Sequence, residues 1–69
     1  MKAAFVRETH VDLLPFLKKT ISRLKKLSVW YLEDIADLSE QELLRERGFG
    51  LGTAATINVL LQSVGLQFR

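Results

Sequence analysis

Residues 46–61 read ERGFGLGTAATINVLL, with three glycines in five positions followed by apolar residues at helical spacing. Three readings compete for Gly48, Gly50 and Gly52: a plain chain reversal, a loop that cradles a nucleotide phosphate, or a hairpin that offers backbone amides to nucleic acid. A nucleotide loop needs a strand before the glycines and usually a lysine after them. GFGLGT has no such lysine, and the residues ahead of it carry a helix signal instead. Ser39 and Glu42 have the spacing of a capping box, with Leu38 and Leu43 placed for the hydrophobic staple. A short helix is therefore expected from about Glu40 to Glu46. After the glycines, Ala54, Ile57, Leu61 and Val64 fall on one face, which predicts a helix over Leu51–Ser63, and Gly65 followed by Leu66 fits its glycine-terminated end.

The glycines thus join two helices, with Phe49 expected to plug the core between them. Such a helix-hairpin-helix unit works because glycine permits close backbone approach and the free amides at the next helix start form an anion site. It holds a DNA phosphate without reading bases.

Upstream, Leu17, Ile21, Leu24 and Leu27 recur on one side, opposite Lys18, Lys19, Ser22, Arg23, Lys25 and Lys26, so a helix with one apolar and one basic face is expected from Leu17 to Leu27. Ser28 breaks the pattern. Val29, Tyr31, Leu32 and Ile35 suggest a short helix ending near Leu38, and Val11, Leu14 and Phe16 a turn that Pro15 terminates. Residues 1–10 have no helical period and read as an extended arm. The expected fold is all-α, a compact bundle of four to five short helices forming one domain over residues 11–69.

A chain of 69 residues supports one small core, which argues against a deep catalytic cleft. There is no cysteine and one histidine, His10. No disulfide, thiolate metal site, cofactor or enzymatic constellation is expected. No charged residue lies between Arg47 and Arg69, a stretch long enough to span a membrane, but its glycines, Thr53, Thr56, Asn58, Gln62, Ser63 and Gln67 make it too polar. Without a secretory signal the expected location is cytoplasmic. Charge is segregated along the chain: residues 1–28 hold seven Lys and Arg against two Asp and Glu, residues 29–46 one against six, and residues 47–69 two against none. That pattern suits one face for an anionic partner and another for a cationic one.

From about Val11 to Leu66 the chain resembles the C-terminal domain of the bacterial RNA polymerase alpha subunit. The resemblance rests on VDLLPF, VWYLEDI, SEQELL, the GFG hairpin and the closing VGL, in that order and spacing. It implies a five-helix domain that binds the minor groove of A/T-rich double-stranded promoter DNA and touches RNA polymerase's sigma factor or activators in transcription. The family's DNA-contacting positions fall here on Lys19, Ser22 and the segment Gly50, Leu51, Gly52 and Thr53. Lys19 stands where the family has arginine, Ser22 where it has asparagine, and Gly52 where it has lysine. Arg23 and Lys26 share the helical face of Lys19 and compensate for lost charge.

Trp30 is expected to pack half-buried, with an exposed protein contact as the alternative. Glu33, Asp34, Asp37, Glu40 and Glu42 read as solvated surface, or as a docking patch for a basic partner in which Trp30, Glu33 and Asp37 take part. The alternative function is therefore a protein-protein interaction module of the same fold that docks on the transcription machinery without binding DNA.

Overall fold

The computed structural model describes residues 5–69. A 3-10 turn over Val11–Leu13 leads to α1, Lys18–Lys26; a second 3-10 helix, Leu32–Asp37, precedes α2, Glu40–Leu44, and α3, Leu51–Ser63. The fold is all-α. Among the described residues the only β-type pairing is an isolated antiparallel bridge between His10 and Tyr31.

Local sequence sets most of the boundaries. Leu14, ahead of Pro15, is extended at φ −77°, ψ 150°, since the proline ring excludes the helical region for its predecessor. At the start of α2 the Ser39 hydroxyl accepts from the Glu42 amide at 3.1 Å, and the Glu42 carboxylate accepts from the Ser39 amide at 3.2 Å. α3 ends at Gly65, φ +77°, where the Leu66 amide donates to Leu61 O at 2.8 Å and the Gly65 amide to Gln62 O at 3.0 Å. α1 ends the same way without glycine. Ser28 takes φ +64°, while the Val29 amide donates to Leu24 O and the Ser28 amide to Lys25 O, both at 3.0 Å. Leu24 and Val29, which clasp across this end, are both buried.

Other expectations are corrected. Residues 29–31 are not helical: Val11 N–H donates to Trp30 O and Leu32 N–H to Thr9 O, both at 2.9 Å, so this stretch runs extended beside residues 9–11 and only Leu32–Asp37 coils. α2 stops at Leu44 rather than Glu46. Leu17 lies outside the apolar face; it is the residue before α1 and is 73 % exposed. Of the expected arm, residues 1–4 lie outside the described residues. Its remainder is docked, with Glu33 N–H donating to Arg7 O at 2.9 Å and Arg7 Nε to Val64 O at 3.0 Å.

One core joins all the elements: Val11 and Leu14 from the first turn, Leu24 from α1, Leu32 and Ile35, Leu43 from α2, Phe49 from the hairpin, and Ala54, Ile57 and Leu61 from α3. Among the described residues no buried side chain is polar or charged, so stability rests on apolar burial, at about 25 cal/mol per Å². No helix among the described residues is long and apolar enough to cross a membrane.

Candidate nucleic-acid interface

The starts of α1 and α3 meet across a shallow groove of about 430 Å³ lined by Pro15, Phe16, Leu17, Thr20, Gly52, Thr53 and Thr56. Neither start is capped by a side chain: Leu17 precedes α1 and Gly50 precedes α3, and neither supplies an acceptor. The first amides of a helix have no partner within it and carry the positive end of its dipole. Two such ends therefore open on one groove. α2, in contrast, has its complete capping box.

The three hairpin glycines do different things. Only Gly48 needs to be glycine for its backbone, at φ +93°. A β-carbon there would lie 2.1 Å from Arg23 Nη1 and 2.5 Å from Arg23 Cζ, so the Arg23 guanidinium covers the Gly48 backbone and ties α1 to the hairpin. Gly50 and Gly52 have ordinary backbone angles, and a β-carbon at either would meet nothing within 4 Å. Neither packing nor strain demands them. Their effect is to leave the start of α3 bare, so that a bound group reaches its amides unobstructed.

The groove lining itself carries no charge; the nearby cations lie along α1 and at the hairpin. Among the described residues the ion pairs are Lys25 with Asp12 at 2.8 Å, His10 with Asp12 at 3.5 Å, and Arg69 with Glu42. Lys18, Lys19, Arg23, Lys26, Arg45 and Arg47 thus have no carboxylate partner among the described residues. The Lys25 ammonium holds Asp12 below the usual carboxylate range, chiefly by hydrogen bonding. Lys25 is accordingly neutralised, while the cations nearer the hairpin are not. Arg47 immediately precedes Gly48, and Arg23 rests on it.

The residues singled out from sequence separate into groups. Gly50, Leu51, Gly52 and Thr53 follow one another at the start of α3, and Arg23 reaches the same hairpin only at Gly48, with Lys19 one helical turn before Arg23. Lys26 is exposed in the last turn of α1. Ser22 turns away, lining a second groove with Asp12, Lys18, Ile21 and Lys25. Leu51 projects into solvent, 76 % exposed. Trp30 is 48 % exposed, and so about half buried, while Glu33 and Asp37 are exposed. Sequence reasoning missed the open start of α1 and the contribution of Thr20; the available signal was Leu17, which is no capping residue, directly before Lys18. Among the described residues no three His, Asp or Glu side chains are grouped to hold a metal.

No family model matches this chain, and no curated protein does.

Proposed function

We propose that the chain is a non-enzymatic DNA-binding domain, similar to the C-terminal domain of the bacterial RNA polymerase alpha subunit, that holds the phosphates and minor groove of A/T-rich promoter DNA. The observation that supports this reading most is the meeting of two uncapped helix starts at one groove, with Arg23 of α1 resting on the hairpin that leads into α3. A DNA phosphate supplies the acceptor oxygens that the open amides lack and the negative charge that both helix dipoles favour. In this reading Lys19, Arg23 and Lys26 neutralise backbone charge, the bare amides of Gly52 and Thr53 hold one phosphate, and the Thr20 and Thr53 hydroxyls add donors. Lysine lacks the planar fork of arginine, so affinity here comes more from charge than from groove geometry.

Titrating an A/T-rich duplex at several salt concentrations tests this. Lys19→Glu should weaken binding severalfold and reduce the slope of log K against log salt by roughly one. Equal affinities and slopes for wild type and Lys19→Glu would remove Lys19 from the site, and absence of salt-dependent binding by the wild type would remove DNA altogether. A second reading, an interaction module of the same shape that docks on the transcription machinery, draws on the exposure of Leu51, which puts an apolar group at the hairpin where a polyanion favours a cation.

A further inference from the structure

The DNA reading makes no use of Trp30 or Tyr31, although these are the largest exposed aromatic side chains, at 48 % and 45 %. Their backbone is held from both sides. The Asp34 carboxylate accepts from the Trp30 amide at 2.9 Å and the Tyr31 amide at 3.0 Å, and Trp30 O accepts from Val11 N–H at 2.9 Å. The Tyr31 ring meets His10 edge-on, with centroids 5.5 Å apart. The main chain that presents the two aromatic side chains is thus fixed before a partner arrives, so binding costs no further backbone ordering there.

The surroundings fix the sign of the partner. Leu32–Asp37 is a 3-10 helix, in which side chains three apart eclipse. Leu32 and Ile35 therefore point into the core together, as their burial shows, and Asp37 follows Asp34 along the edge that holds Trp30. Glu33 is exposed on the adjoining edge, next to the Arg7 backbone. Neither Glu33 nor Asp37 has an ion-pair partner among the described residues, and no Lys or Arg occurs from residue 27 to residue 44. This surface repels nucleic acid. Carboxylates beside aromatic faces suit ammonium and guanidinium groups, which pair with the former and stack on the latter.

We propose that Trp30, Tyr31, Glu33 and Asp37 form a second docking surface, which takes a lysine- or arginine-rich segment of a partner protein. It does not depend on the DNA reading and is built from other elements of the fold.

Trp30 is the only tryptophan, so its fluorescence reports on this surface directly. The probe is a peptide of alternating lysine and arginine, with a glutamate peptide of equal length as control. The basic peptide should change Trp30 emission saturably, and the acidic one should not. Glu33→Gln with Asp37→Asn should weaken binding roughly five- to tenfold, on the scale of two exposed charge pairs. Glu40→Gln with Glu46→Gln removes the same charge elsewhere and should change it by less than about twofold. Trp30→Leu keeps apolar bulk without the extended π face; followed by amide shifts, it should weaken binding several times over. The proposal is overturned by a non-saturable response, by equal losses in the two double variants, or by a Trp30→Leu protein that binds as wild type. It is also overturned if an A/T-rich duplex quenches Trp30 and needs it for binding, because the aromatic pair would then belong to the DNA face. Failure of the duplex to bind, with the peptide result intact, would sink only the DNA reading.

Discussion

Arg23 of α1 lies across Gly48 of the hairpin so closely that a β-carbon on Gly48 would stand 2.1 Å from Arg23 Nη1. The basic helix and the glycine hairpin are therefore one surface. Gly48→Ala should cost about 1–2 kcal/mol for forcing a β-carbon into the left-handed region, and should displace the guanidinium. Gly52→Ala, with open space and helical angles, should be stabilising by about 0.5–1 kcal/mol. Urea unfolding of the two variants gives the comparison, and equal stabilities would refute it.

Gly52→Lys places a cation at the groove without steric conflict. Removal of a helical glycine contributes about 0.5–1 kcal/mol, offset by about 0.3–1 kcal/mol for a cation at a positive helix end. The melting temperature should barely move, whereas affinity for an A/T-rich duplex should rise several times over and its salt slope steepen by roughly one. An unchanged affinity would place the DNA site elsewhere.

Ser28 holds φ +64° at the end of α1. A non-glycine residue there costs roughly 1–2 kcal/mol, and glycine would return part of this as chain entropy, about 0.5–1 kcal/mol. Ser28→Gly should therefore stabilise the domain by about 0.5–1 kcal/mol, read from the denaturation midpoint. A loss of stability would mean that the serine side chain does more than occupy the turn.

The Ser39 amide holds the Glu42 carboxyl below its ordinary range, with the Arg69 charge adding to the effect. A carboxyl whose folded pKa is depressed contributes stability above its unfolded pKa, near ~4.3, and loses it as pH falls through the lower folded value. The stability gap between wild type and Glu42→Gln should accordingly be present at neutral pH and close as pH falls below the ordinary carboxyl range. Ser39→Ala, which removes the hydroxyl half of the box, should cost about 1 kcal/mol at neutral pH. A Glu42→Gln gap that persists in acid would show that this carboxylate's charge is not what stabilises α2.

What was legible in the sequence was whatever a few consecutive residues decide among themselves. The Ser39–Glu42 box, the span Leu51–Ser63, the Gly65 end and the break at Ser28 all depend on hydrogen bonds that reach no more than five residues along the chain. The basic face of α1 and the hairpin before α3 were legible for the same reason. Tertiary structure decided the rest, because it involves partners far apart in sequence. Residues 29–31 have the composition of a helix but run extended, since Trp30 O accepts from the distant Val11 N–H while the Trp30 and Tyr31 amides donate to the Asp34 carboxylate. Asp12 removes Lys25 from the free cations and leaves Arg23 to close on Gly48. Trp30 stays half exposed while Leu32 and Ile35 of the same segment are fully buried. The groove itself exists only where the starts of α1 and α3 meet, more than thirty residues apart in sequence. No periodicity encodes that meeting; it follows from how Leu24, Phe49 and Ile57 share one interior.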